Sequence, residues 1–260
     1  MSKILPKIGF FFLLSNIVFS QSTIEDNEIK SGFFNDLDYQ IRGQFSIGGS
    51  TPLGIPVEIR ELNRYNPSLQ LGVEVNSTKW LKNNPKIGIR GGLRIEQKGM
   101  KTDARVKNYY TQIDGEGGKQ TNGYFTGNVN TTVSNTYTTL PVLIVYNAYP
   151  RWNFYGGVYL SATIEQKFTG YVYDGVLREG LPTGTPVVFE GSAKGEYDFS
   201  DEMRRMQWGF DLGAEYKMKS HLRLFAELNW NANQLFKHDF DAISFKMYNI
   251  YGNFGFGYQF

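Results

Sequence analysis

The chain has no cysteine and only two histidines, His221 and His238. Without cysteine there are no disulfides, no zinc–thiolate site, no cysteine nucleophile and no lipid attached through an N-terminal cysteine, so packing and hydrogen bonding alone hold the fold. Long apolar runs are missing too: beyond the N-terminus nothing approaches the roughly 20 residues that a spanning helix needs. Nor is there an excess of one charge. With 27 Lys and Arg against 25 Asp and Glu, the formal charge is +2, which gives no reason to expect nucleic acid as a partner. What the chain does contain is 17 Tyr, 20 Phe and 29 Gly among 260 residues, too aromatic for a disordered chain and too polar for a bundle of membrane helices.

The first residues have the order of an export signal. Lys3 and Lys7 precede an apolar run from Ile8 to Phe19, interrupted by Gly9, Ser15 and Asn16, and small or polar residues follow at Ser20-Gln21-Ser22. Residues 1–20 are therefore expected to be a cleavable signal peptide; the alternative, an anchoring helix, is short by several residues. Residues 21–38 are polar and aperiodic and are expected to form a periplasmic lead-in. From Tyr39 to Phe260 the period becomes two.

Tyr39, Ile41, Phe45 and Ile47 alternate with Gln40, Arg42, Gln44 and Ser46, the pattern of a strand with one apolar and one polar face. The same alternation recurs over Leu69–Asn76, Lys86–Glu96, Trp152–Glu165, Met206–Lys217, Leu222–Trp230 and Tyr248–Phe260. Leu140–Tyr146 is apolar on both faces, so its register cannot be read, and Pro141 predicts a bulge or a strand end there. About eight strands result, most of them long enough for the roughly 9 to 11 residues that a tilted strand needs to cross a bilayer. Connections alternate between long (Ser50–Ser68, Gly99–Asn135, Phe168–Arg204) and short (Thr78–Pro85, Ala148–Arg151, Met218–Ser220), with Asn233–Ser244 intermediate. This rhythm predicts an all-β fold: a transmembrane antiparallel up-and-down β-barrel with short periplasmic turns and long extracellular loops.

Alternation alone does not distinguish an apolar-out membrane barrel from an apolar-in soluble one. The polar face carries Arg42, Glu74, Arg90, Arg94, Glu96, Glu165, Asp211, Glu215, Arg223 and Glu227, charges of both signs that would pair across a narrow lumen. Glycines recur on that face, leaving room for long side chains, and Tyr39, Trp152, Tyr216, Trp230 and Tyr258 fall near strand ends on the apolar face, where interfacial girdles form. Tyr258 and Phe260 end the chain in phase with that face, like the C-terminal signal read by outer-membrane assembly machinery. The expected partners are therefore outer-membrane lipid, that machinery and proteins of the envelope.

Thr139-Leu-Pro-Val-Leu-Ile-Val-Tyr146, Gly156-Gly-Val-Tyr-Leu160, Gly209-Phe-Asp-Leu-Gly-Ala-Glu-Tyr216 and Gly255-Phe-Gly-Tyr-Gln-Phe260 resemble the PorT-like outer-membrane β-barrel family. The resemblance implies the barrel fold and, through the family's founding member, a link to secretion and surface export. These are packing motifs and carry no active site.

Chemistry-bearing residues are sparse. A rim hydrolase would need His238 with Asp239 or Asp241, the only local His/Asp grouping, and a solvated loop is the simpler reading. Asp201-Glu202 is too small a ligand set for a cation, and Gly115-Glu-Gly-Gly118, with no Lys-Ser/Thr after it, is a loop tip and not a phosphate cradle. No catalytic residue, metal or cofactor is expected. The expectation is a non-enzymatic barrel with a filled interior and binding or shielding loops; the alternatives are a rim-acting barrel hydrolase and a secreted soluble barrel carrying an apolar ligand.

Overall fold

The computed structural model describes residues 36–114 and 120–260. The expected signal peptide, most of the lead-in and the Gly115–Gly118 tip lie outside the described residues. Within them the chain forms one antiparallel sheet of twelve strands: β1 (Leu37–Pro52), β2 (Ile59–Asn66), β3 (Gln70–Leu81), β4 (Asn84–Asp114), β5 (Gln120–Tyr149), β6 (Trp152–Glu165), β7 (Phe168–Glu179), β8 (Pro186–Phe189), β9 (Gly195–Asp198), β10 (Met206–Lys217), β11 (Leu222–Asn231) and β12 (Met247–Gln259).

Twelve strands, not about eight, is a correction to the alternation count. The pairings explain it. β1 pairs β3, β3 pairs β4, β4 pairs β5, β5 pairs β6, β6 pairs β10, and β10, β11 and β12 follow in turn until β12 returns to β1, with Gln40 opposite Gln259. Eight strands thus close a ring. The other four lie in segments read from the sequence as loops. β4 and β5 run on as a hairpin far beyond their neighbours, so their free edges take up β2, β7 and β9, and β8 adds to β7. The Thr- and Tyr-rich tract after Thr121 forms strand because β-branched and aromatic side chains suit a pleated surface once an edge is offered.

The turns at 82–83, 150–151 and 218–221, together with Leu37 and Phe260, gather at one end of the ring; the long connections leave from the other. Pro141 makes neither a bulge nor a strand end. It pairs in step with Tyr159 on β6, and the β4–β5 register is the same at Gly91↔Val142 and Arg94↔Thr139 on either side of it. The missing N–H leaves only a local gap in the ladder toward β4.

Polarity is inverted relative to a soluble protein. Along β1 the exposed positions are Tyr39, Ile41, Phe45 and Ile47, and the buried ones Gln40, Arg42, Gln44 and Ser46. Leu69, just before β3, and Leu71, Val73 and Val75 on it continue the exposed apolar band, as do Leu140, Val142 and Ile144 on β5, and Phe254, Phe256 and Tyr258 on β12. A continuous apolar band of this extent is stable only against an apolar medium or partner. Above Lys98 the inside changes character. Met100, Val106, Tyr109 and Ile113 of β4 face Phe125, Val129 and Val133 of β5 and the packed rings of Phe168, Phe199 and Phe236, building an ordinary apolar core in the segment beyond the band.

Candidate functional site: a charged interior under an apolar head

The ring encloses a buried ionic network. Arg42 on β1 lies 2.6 Å from Glu215 on β10, and also within 3.6 Å of Glu74 on β3 and 3.9 Å of Glu227 on β11. Arg94 on β4 reaches Glu74 at 2.6 Å, Glu227 at 2.8 Å, Asp211 at 3.6 Å and Glu96 at 3.9 Å. Arg90 meets Glu215 at 3.4 Å, and Lys98 meets Glu96 at 3.0 Å. Four cations thus face five carboxylates contributed by four different strands. Near balance is what allows charges this deeply desolvated to remain buried.

Amides and hydroxyls satisfy much of what the ions leave. Gln40 and Asn153 donate to Glu215, Gln44 and Thr139 to Glu96, and Asn229 to both Asp211 and Glu227. Aromatic faces add to this: the Arg42 guanidinium lies 4.6 Å from the Phe225 ring centre and 5.1 Å from that of Tyr155, and the Arg90 guanidinium lies 5.3 Å from that of Tyr155. Glycine makes the room. A Cβ on Gly213 would stand 2.6 Å from the Tyr155 ring, and one on Gly209 would stand 2.7 Å from the Tyr159 hydroxyl.

Two of the charges singled out in the sequence lie elsewhere. Glu165 is exposed: β5 pairs Tyr137 with Thr163 but Thr136 with Glu165, so Ile164 is an inserted residue and the face flips before Glu165. Arg223 is buried but meets no carboxylate among the described residues; it donates to Gln259 Oε1 at 2.8 Å and to the carbonyls of Lys219 and Ser220, bracing the turn before β11. Conversely, Lys98 belongs to the network and was missed, although it continues the parity of Arg94 and Glu96.

The remaining candidates separate. His221 donates from Nδ1 to the Gln259 carbonyl, 2.8 Å away, and stacks on Tyr258. His238 is exposed and lines one cavity, whereas Asp239 and Asp241 line another, and no hydrogen bond joins them among the described residues. Among those residues no cluster of three or more metal-ligating side chains occurs, and no helix is long and apolar enough to cross a membrane, which says nothing against crossing with strands.

Outside the band, Asp103 ties three strands together. Its carboxylate accepts from Asn63 of β2 at 3.0 Å, Tyr173 of β7 at 2.8 Å and Asn130 of β5 at 3.4 Å. Partial burial pushes its pKa up, but these three donors and the nearby Arg64 charge outweigh that and hold it below the ordinary aspartate value.

Solved structures similar to the chain include Ail, the attachment invasion locus protein of Yersinia pestis (11% identity, 86% of this chain and 97% of that one, TM-score 0.32), and the outer membrane protein OprG from Pseudomonas aeruginosa (12% identity, 86% and 95%, TM-score 0.36). No curated protein matches the sequence. A family model, the outer membrane protein beta-barrel domain, matches residues 19–237. The chain belongs to that outer-membrane β-barrel family.

Proposed function

We propose that the eight-strand ring is a transmembrane up-and-down barrel, with its short turns and both ring termini on the periplasmic side, and that the protein is a non-enzymatic surface module of the PorT-like type. The signal at residues 1–20 sends the chain across the inner membrane; assembly machinery recognises the aromatic end at Tyr258 and Phe260; outer-membrane lipid covers the apolar band. The β4–β5 head then stands outside the cell, where it binds or shields, alone or with other envelope proteins.

One observation carries the reading against a channel: the lumen is occupied across its width by the Arg42–Glu215 and Arg94–Glu74–Glu227 contacts, all with fully buried side chains. An eight-strand barrel is of the size that side chains fill. The separation of His238 from Asp239 and Asp241 supports the non-enzymatic reading. The test is single-channel recording in a planar bilayer, with insertion verified by the change in gel mobility on boiling. Inserted protein should give no resolvable conductance; steady ion currents from wild-type protein would overturn the plugged interior. His238→Ala should leave every surface-binding property unchanged.

A further inference from the structure

Above Ser46 the wall of the ring opens. β1 pairs with β3 from Leu37 to Ser46, opposite Lys79 to Gln70, and the pairing stops there. β2 continues the line of β3 along β4, with Asn66 opposite Lys101 and Ile59 opposite Val106, but makes no ladder with the upper part of β1. Among the described residues a single hydrogen bond bridges the gap, from the Tyr65 hydroxyl to the Gly48 carbonyl at 2.6 Å. The gap therefore separates two strand segments that a continuous barrel wall would join.

Behind it lies a cavity of about 620 Å³, with Met100, Val106, Phe168 and Met247 buried at its back and Ile59 and Leu62 at its mouth. That volume is within the roughly 300–1,000 Å³ of sites that hold small organic ligands. Four of its lining hydroxyls are engaged: Ser50 donates to Asn249 at 2.6 Å, Thr51 to the Pro52 carbonyl at 3.2 Å, Tyr65 to the Gly48 carbonyl at 2.6 Å, and Thr131 bonds Tyr197 at 2.7 Å. The rest of the lining is mostly apolar, including Ile59, Met100, Val106, Phe168 and Met247, and so suits an apolar ligand. The charged residues of the lining, Arg60 and Glu61, are both exposed, at the mouth. Below Met100, the next inward-facing side chain with the same parity on β4 is Lys98 of the ion network.

The height of the opening indicates where a ligand would come from. Gly48 directly follows Ile47, the last of the exposed apolar residues rising along β1, and Leu69, just before the facing start of β3, is 76% exposed. The mouth stands at the upper edge of the apolar band. We infer that the chamber binds an aliphatic chain that enters sideways, from the outer leaflet, through the gap between β1 and β2, leaving its polar head near Arg60. This rests on the membrane-spanning reading above.

The test uses full-length mature protein in phosphatidylcholine vesicles doped with a fatty acid carrying a mid-chain diazirine or, separately, with a phosphatidylcholine carrying the same acyl group. After illumination, labelled residues are mapped by peptide mass spectrometry. Label is expected on the Met100–Val106 and Phe245–Met247 segments as well as on band residues such as Leu71 and Val73, and excess palmitate should remove the first set only. Ala104→Trp, which puts an indole into the chamber, should abolish chamber label and spare the band; where this variant does not fold, the palmitate competition on wild-type protein serves instead. Labelling by the fatty acid alone identifies a free amphiphile as the ligand, and labelling by both probes includes the leaflet's own lipid. Band label without chamber label overturns the inference and leaves the membrane reading intact. Absence of both, with protein in the aqueous phase, overturns the membrane reading itself.

Discussion

Glu74 and Arg94 stand directly opposite one another on β3 and β4, and their side chains meet at 2.6 Å with no exposure to solvent. The same guanidinium also holds Glu227 at 2.8 Å, so one cation compensates carboxylates from both sides of the lumen. Removing it leaves desolvated negative charge without a partner. Arg94→Leu should cost on the order of 3–5 kcal/mol, the penalty typical of breaking a buried pair. Urea unfolding in lipid vesicles measures it, and Arg94→Leu combined with Glu74→Leu should recover part of the loss.

The band makes an opposite demand. Val73 pairs with Gly43, midway along the exposed run from Tyr39 to Ile47, and is 54% exposed. On a water-facing strand, Val73→Arg would change stability by roughly 0.5 kcal/mol or less. At the midplane of a bilayer it should cost about 2–4 kcal/mol. The same vesicle titration distinguishes the two, and a neutral result would remove lipid from the outside of β3.

Gly213 is a packing requirement. Tyr155, whose ring would touch any Cβ placed there, cannot retreat without leaving Arg42 and Arg90. Gly213→Val is expected to destabilise by about 1–3 kcal/mol through overpacking. Adding Tyr155→Ala should restore part of this; a double variant no better than Gly213→Val would place the strain in the backbone.

Asp103 predicts a local pH response outside the membrane. Its carboxyl is held below the ordinary aspartate value in the folded state, so its stabilising contribution is present at neutral pH and is lost as pH falls through the folded value. Hydrogen exchange in β2, which Asp103 holds through Asn63, should speed up in acid relative to the ring strands. In Asp103→Asn that acid-dependent difference should disappear, with β2 already loosened at neutral pH.

How much of this was legible varies from element to element. β1, β3, β6, β10, β11 and β12 each show a clear two-residue period. The Leu140–Tyr146 part of β5 does not, because Leu143 and Val145 pack inward against Tyr155 while Leu140, Val142 and Ile144 face outward, both apolar for different reasons. No regular apolar period marks the head, so its sequence predicts loop. Its strands exist because the β4–β5 hairpin offers edges, and its core draws Phe168, Phe199, Phe236 and Met247 from distant parts of the chain. Of the network, the strand parity identified most charges, failed at Glu165 because one inserted residue reverses a face, and stopped short of Lys98.

By itself the sequence determined the two faces of the strands that alternate clearly, since side-chain direction alternates with the backbone pleat whatever the strand pairs with. Only the tertiary structure decided which face turns inward, that eight of the twelve strands close on one another, and that the wall parts above Ser46. Those outcomes depend on hydrogen-bond partners and register between residues far apart in the chain, and no local period encodes them.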